Sequence, residues 1–478
     1  MSANEGQVEQ PLPFRVVREI NKLTSYELPG AWVSGHGPQR AYLFRKQTQK
    51  FPAGLLKRVK KAIRRMGYRT RTKDYRAEIK IDDKKVLSIF NNLEYSPRYY
   101  QADGIIEGVR YPYGLYWWPT GSGKTFLFSM LLLCYDVPSL ILTHRRELLY
   151  QIQESVERMT GKSCGIIGDG QWSPKKWTVG IVNSFMQKDS LINDVKSYLN
   201  SIEYLIIDEC HHLGAKSWWK IAKQCKNTRA RHGFSGTCFR TDNADLLLLA
   251  HTGDVISHYT TTYMIEEGWL SRPHIYRDEF TGKNGVTSHS DWSSVEDVLI
   301  VENKERNLGG CQFVYDQAGD GEQVLVMVRR VPHGRILKQM LVGEFGVEPR
   351  DIRYMTGSEG TEARKRALLD YKYGTFPILI GTSIYDEGID LPTIGAAANM
   401  GGGKSDIKTT QKLGRAIRKE VADGEIDVDP TVEQIVKYYD PFDKGHRFVK
   451  KHSKTRQEVY EGEEAFVLRG AYNGKKIS

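Results

Sequence analysis

No stretch of this 478-residue chain approaches the ~20 consecutive apolar residues that a membrane span requires, although apolar residues make up 40% of it, enough to build cores. A membrane partner is therefore not expected. Cysteine is scarce and scattered, with six residues at 134, 164, 210, 225, 238 and 311 and no CxxC pair. That argues against a disulfide framework and for reduced thiols, with the cytoplasm as the expected location. No low-complexity segment and no short-period repeat is present, which excludes solenoids and propellers. Met1 to Pro13 is polar and acidic, unlike a secretory signal, and reads as a disordered tail.

The stretch that organises the rest is Trp117-Trp118-Pro119-Thr120-Gly121-Ser122-Gly123-Lys124-Thr125. An apolar run from Tyr113 feeds it and an apolar helical run, Phe126 to Leu133, follows it, the strand–loop–helix context of a phosphate-binding loop. Trp118 stands where the common pattern has its first Gly, but Gly-x-Gly-Lys-Thr is intact. Gly121 and Gly123 leave backbone N–H groups free to turn onto a phosphate, and the helix N-terminus adds partial positive charge. Lys124 is expected on the β- and γ-phosphates of ATP, with the Thr125 hydroxyl on Mg²⁺.

Strand and helix patterns alternate from about residue 94 to 272 and again from about 323, as in parallel α/β sheets. Expected strands are Leu115–Trp118, Ser139–Thr143, Thr178–Val182, Tyr204–Asp208 and Gly233–Ser235, then Val324–Val328, Ile352–Met355, Ile378–Gly381 and Ile394–Asn399. Helices are expected near Gly334–Val342, Thr361–Tyr371 and Thr409–Lys419. The expected fold class is α/β, two tandem parallel-sheet lobes that resemble the RecA-like kind, with a small basic α+β N-terminal domain. The expected division is an N-terminal nucleic-acid-binding domain at 1–93, a first lobe at 94–275, a connection at 276–320 and a second lobe with a helical tail at 321–478.

The first lobe holds a second signature. Tyr204 to Ile207 is an apolar strand ending in Asp208-Glu209-Cys210-His211, which places two acids at the C-terminal edge of the sheet, where ligands sit in such folds. Asp208 suits Mg²⁺ and Glu209 suits general base for an attacking water. A zinc reading of Cys210, His211 and His212 with Cys225 or Cys238 lacks ligand spacing. In the second half, Arg415 and Arg418 lie three apart in Gln411–Arg418, on one face if helical. Such guanidiniums can supply transition-state charge to a γ-phosphate.

Net charge is +11, and its distribution is uneven. Lys57 to Lys80 holds eleven Lys/Arg against Asp74 and Glu78, a local net of +9 that leaves about +2 for everything else. Leu55, Leu56, Val59, Ala62, Ile63 and Met66 follow helical spacing with Gly67 as C-cap. The opposite face carries Lys57, Lys60, Lys61, Arg64 and Arg65, a candidate phosphate-binding face. The bland alternative is a solvated helix face. Upstream, Ala31–Val33 and Tyr42–Phe44 read as a hairpin. Trp117, Trp218 and Trp219 read as packing residues and Trp118 as the loop entrance.

Taken together these motifs resemble helicase superfamily 2, from about Ser96 to Asp443. Leu142–Leu148 is similar to motif Ia, Ser235-Gly236-Thr237 to motif III, Gly381–Ser383 through Glu387–Asp390 to motif V and Gln411–Arg418 to motif VI. Within the superfamily the likeness is to the UvsW-type DNA helicases of tailed phages, relatives of XPB- and RecG-like motors. It rests on the Asp-Glu-Cys-His form, the basic N-terminal module with Phe51-Pro52-Ala53-Gly54-Leu55, and the size. The resemblance implies a monomeric ATP- and Mg²⁺-dependent motor that remodels branched or forked DNA, with replication or recombination proteins as partners, in a bacterial host's cytoplasm if phage-encoded. It implies adenine contacts from Arg98 and Gln101 and nucleotide contacts from Pro119, Thr120, Ser122, Gly388 and Asp390. Gln411 joins Lys124, Asp208, Glu209, Arg415 and Arg418 in catalysis. Backbone contacts to nucleic acid would come from Arg145, Asn183, Ser184, Arg329, Thr356 and Thr382, and Ser235 and Thr237 would couple hydrolysis to movement. An RNA helicase, a restriction-type motor subunit and a binding protein with a dead nucleotide site stay open as alternatives.

Overall fold

The computed structural model describes residues 5–33, 37–75, 78–93, 96–186, 192–236, 245–282, 285–382, 394–403, 413–414, 417 and 433–472. Gln411, Arg415, Arg418, Gly388, Asp390 and Thr237 lie outside them, as does most of the expected Thr409–Lys419 helix. The chain divides into two compact units, Met1–Trp118 with Gly123–Tyr259, and Pro119–Ser122 with Thr260–Ser478.

The first unit is built on an eight-stranded sheet. Its order is Val255–His258, Tyr113–Trp117, Ala230–Ser235, Tyr204–Ile207, Ser139–Thr143, Trp177–Ile181, Gly165–Gly168 and Gln171–Ser173. Every pairing is parallel except the last, a hairpin. Ser139–Thr143, Tyr204–Ile207 and Ala230–Ser235 are buried along their length, as expected of parallel strands covered on both faces. The helix Lys124–Tyr135 is apolar nearly all round and correspondingly buried. Register decides what meets at the sheet edge: Ser235 pairs with Trp117, and Ile207 with Gly233 and Leu142. The loops after Tyr113–Trp117, Ala230–Ser235 and Tyr204–Ile207 therefore leave from three adjacent strands.

The N-terminal elements are seated on this unit. Val16 and Ile20 of the helix Phe14–Leu23, with Phe44, Phe51, Leu55, Val59 and Ile63, share one core with Leu246, Leu248 and Leu249. Gly54 is the contact point: a Cβ there would come within 2.2 Å of the Leu249 carbonyl oxygen, so only glycine permits the approach. The helix expected from Leu55 to Met66 is observed at Leu56–Arg65, with Gly67 at φ +84° beyond it. The expected hairpin forms between Ser25–Val33 and Gly37–Tyr42.

The second unit has a seven-stranded, wholly parallel sheet in the order Ile352–Met355, Ile378–Gly381, Val324–Met327, Ala396–Asn399, Ile435–Tyr439, Arg272–Tyr276 and Val467–Gly470. Four of these match expected strands; the last three were not expected. Residue 275, where the first lobe was expected to end, lies inside the sixth strand. The stretch 276–320, expected as a connection with a helix-like part after Ser294, holds the helices Trp292–Glu296, Asp297–Val301 and Lys304–Gly319, which pack in this unit.

Two tryptophans exchange roles relative to expectation. Trp118, expected at the loop entrance, is fully buried. Its ring meets Tyr100 edge-on at 5.3 Å and its Nε1 donates to Ser257 Oγ at 2.8 Å. Gly104 makes room, since a Cβ there would lie 2.6 Å from the indole. Trp117, expected in the core, is half-buried and stacks on His258 at 4.0 Å. Trp118 lies one residue beyond the strand Tyr113–Trp117, and successive extended residues point to opposite sides, so the two rings enter different surroundings.

Candidate nucleotide and nucleic-acid site

The loop at 118–124 folds as its glycines require. Gly121 and Gly123 have φ of +86° and +84°, conformations that L side chains rarely adopt. Gly123 is also crowded: a Cβ would lie 2.4 Å from Gln101 Nε2. Gln101 is oriented by its own helix start, where Oε1 accepts from Arg98 N–H at 3.0 Å, so its amide nitrogen faces the loop. Arg98 Nη1 donates to the Tyr100 hydroxyl at 3.0 Å. The proposed adenine readers thus stand beside the phosphate loop. Lys124 Nζ donates to the loop's own Trp118 carbonyl at 3.3 Å, and Ser122 Oγ to Pro119 O at 2.8 Å. The ammonium is folded back over the cradle that a phosphate would fill.

Asp208 and Glu209 emerge where Tyr204–Ile207 ends. Asp208 is buried, and burial first, then the neighbouring Glu209 charge, pushes its carboxyl up to about 7 against the pull of Lys124. A buried carboxylate with a raised pKa is suited to a cation, whose charge would bring it down. Among the described residues no group of three or more His, Cys, Asp or Glu is placed to hold a metal. Mg²⁺ held by one acid, the Thr125 hydroxyl and phosphate oxygens would need no such protein cage; Cys238, one of the residues in the zinc reading, lies outside the described residues. Cys210 and Cys225 are buried thiols, and His212 stacks on Trp218.

Glu209 has φ +46°, a left-handed conformation uncommon for a non-glycine residue and typical of functional strain. Its Oε2 lies 3.3 Å from His211 Nδ1 and accepts from Ser235 Oγ at 3.4 Å, while His211 Nδ1 and Ser235 Oγ are 2.9 Å apart. The general-base candidate is therefore tied to the end of the adjacent strand. The sequence named Ser235 for coupling but gave no sign of His211 as the bridge; its spacing from Glu209 on a tight turn is the one signal available.

Residues 94–240 match the family of type III restriction enzyme res subunits, and residues 307–420 match the helicase conserved C-terminal domain. The ATP-dependent DNA helicase uvsW of Enterobacteria phage T4 is 23% identical over 391 residues, 77% of this chain and 76% of that protein. The DNA 3′-5′ translocase XPB2 of Sulfurisphaera tokodaii is 23% identical over 363 residues, 68% and 79%. This chain is a superfamily 2 helicase. It resembles the UvsW type and uses ATP. Other relatives are longer: the helicase spans 50% of the putative mitochondrial ATP-dependent helicase irc3 of Schizosaccharomyces pombe, at 25% identity over 63% of its own length. Its fold is that of solved superfamily members. Saccharomyces cerevisiae Dbp5 bound to RNA and ADP BeF3 superposes with a TM-score of 0.55 over 81% of this chain and 93% of that one, at 16% identity.

The helicase's nucleic-acid candidates are placed unevenly. On the helix Leu56–Arg65, Lys57, Lys61, Arg64 and Arg65 are exposed and Lys60 half-exposed. Three are already engaged, Lys57 with Asp254 and Arg65 with Glu19, each at 3.7 Å, and Arg64, whose Nε donates to Thr70 Oγ1 at 3.0 Å. Arg145 precedes the helix Arg146–Thr160, and Asn183 and Ser184 lie in the turn after Trp177–Ile181. In the second unit Arg329 is bound to the buried Glu296 at 2.9 Å. Thr356 pairs with Ser358, and Thr382 is buried.

Sequence reading missed a buried ionic cluster in the second unit. Asp440, wholly buried, accepts from Arg277 at 2.9 Å, Arg456 at 2.8 Å and Asn399 at 2.9 Å. Burial opposes its charge, yet Arg456 and Arg277 hold its carboxyl below the ordinary value. These residues come from segments 163 and 16 positions apart from Asp440, so no local pattern reveals them.

Proposed function

We propose that this helicase is an ATP-driven DNA motor that remodels branched DNA, by fork regression, branch migration or unwinding, in replication, recombination or repair. DNA is favoured by the activities for which the uvsW and XPB2 relatives are named. The observation that carries the reading is the exposed basic face of Leu56–Arg65 on a module anchored through Gly54. That face meets phosphates without reading bases, as a motor must.

In this reading Lys124 and the N–H groups after Gly121 grip the β- and γ-phosphates. Thr125 and Asp208 hold Mg²⁺, which neutralises developing charge on the phosphate oxygens when bound. Arg98 and Gln101 hold the adenine. Glu209 accepts a proton from water, and its bond to Ser235 and His211 reports the state of the site to the next strand. Gln411, Arg415 and Arg418 supply transition-state charge, with Gly388 and Asp390 at the nucleotide. Arg145, Asn183, Ser184, Arg329, Thr356 and Thr382 contact the nucleic-acid backbone.

The deciding experiment measures ATP turnover stimulated by forked DNA, single-stranded DNA and RNA at matched nucleotide concentration. Strongest stimulation by the fork, lost in Glu209→Gln, is the expected result. Strongest stimulation by RNA makes this an RNA helicase. Stimulation by linear duplex alone favours the restriction-type motor, to which the match over residues 94–240 also points.

A further inference from the structure

The N-terminal elements also carry a groove of about 400 Å³, lined by none of the residues assigned to the nucleotide. One wall is the helix Phe14–Leu23, where Phe14, Arg18 and Asn21 fall on one face at i, i+4 and i+7. The other comes from Arg40, Tyr42 and Lys46. Three observations single it out. First, Phe14 is 78% and Tyr42 55% exposed, two large rings that pack into no core. Second, Asn21 is 93% buried, yet its Oδ1 has no hydrogen-bond partner. A buried acceptor left unmade is unfavourable, and such groups call for an explanation. Third, the rim is cationic. Lys22 is paired with Glu19 and Arg40 with Glu27, but Arg18 and Lys46 have no acidic partner among the described residues, and Lys46 lies 5.9 Å from the centre of the Tyr42 ring.

These groups fit one ligand chemistry. A flat ring stacks on an exposed aromatic, a ring N–H or exocyclic amine donates to Asn21 Oδ1, and flanking phosphates reach Arg18 and Lys46. Base, edge and phosphate together describe a nucleotide whose base is not paired, because paired bases inside a duplex hide their faces. An acidic peptide would satisfy the cations and could donate a backbone N–H to Asn21 Oδ1, but its carboxylate side chains bring no flat ring to the exposed aromatics. We propose that this groove holds one unpaired nucleotide of a nucleic-acid strand, stacked on Phe14 or Tyr42 and read at its edge by Asn21. The inference rests on the reading that the N-terminal elements meet nucleic acid, and it adds that they sense unpaired bases beside a junction as well as phosphates.

The test uses the full chain and fluorescence anisotropy with three probes: a fork with a short single-stranded arm, the same fork with an abasic arm, and a blunt duplex. The wild type is expected to bind the base-bearing fork about 5- to 150-fold more tightly than the abasic one, the range for stacking a single base. Phe14→Ala with Tyr42→Ala should erase that difference and leave blunt-duplex affinity unchanged; both side chains are exposed, so the fold is not at stake. Tyr42→Trp in the Phe14→Ala background should restore it. Equal binding of base-bearing and abasic arms by the wild type, or full discrimination in the double variant, overturns the proposal. So does saturation of the groove by free mononucleotide with no gain from a strand. Replacing Lys60, Lys61, Arg64 and Arg65 with Gln tests the basic face separately. If duplex binding survives that change while Phe14 and Tyr42 still govern base discrimination, the groove stands and the basic-face reading falls.

Discussion

The raised carboxyl of Asp208 predicts that this proposed Mg²⁺ ligand weakens the resting protein. Its ordinary value of 3.8 moves to about 7 in the folded chain, so keeping it ionised inside costs about 4 kcal/mol once both states are charged. The sign follows from proton binding. Between these two values the folded state holds a proton that the unfolded state has released, so stability falls as pH rises from about 4 and the full cost is present above about 7. Asp208→Asn removes the charge and retains an acceptor oxygen. In a chelator-containing buffer without nucleotide, the variant should unfold at a higher temperature than the wild type, by several degrees at pH 8 and by less at pH 5. Adding Mg²⁺ with a non-hydrolysable nucleotide should reverse the order, because only the wild type sets a carboxylate charge against the cation. Steady-state ATP turnover should be lost in the variant. A variant no more stable than the wild type at pH 8, or an advantage that does not shrink towards pH 5, refutes the reasoning.

Gly123→Ala imposes a positive φ on an L residue, at about 1–2 kcal/mol, and sets a Cβ 2.4 Å from Gln101 Nε2; affinity for a fluorescent ATP analogue should drop more than tenfold, with circular dichroism unchanged. Ser235→Ala removes a hydrogen bond to the Glu209 carboxylate, a contact worth about 1.5–3 kcal/mol; kcat should fall about 10- to 100-fold while the KM for ATP stays within twofold, and an equal rise in KM would point to nucleotide binding instead. Asp440→Asn leaves Arg277 and Arg456 buried without their counter-charge and should cost about 3–5 kcal/mol in urea unfolding; a loss under about 1 kcal/mol would show that solvent reaches the cluster.

What the sequence determined by itself is whatever is set over a few consecutive residues. Gly121 and Gly123 demand a tight phosphate-sized turn, Tyr204 to Ile207 demands a buried strand with acids at its tip, and the period of Leu55 to Met66 demands a helix with one basic face. The tertiary structure decided everything that depends on which distant segments share an edge or a face. It set Tyr113–Trp117, Ala230–Ser235 and Tyr204–Ile207 side by side, so that Ser235 and His211 meet Glu209. It turned Trp118 inward over Gly104, recruited Arg272–Tyr276 and Val467–Gly470 into the second sheet, and gathered Arg277, Asn399 and Arg456 around Asp440. It also left the Asn21 oxygen without a partner in its groove. Strand order and buried charge pairing are chosen by the free energy of the whole packed unit, and no local period along the chain encodes them.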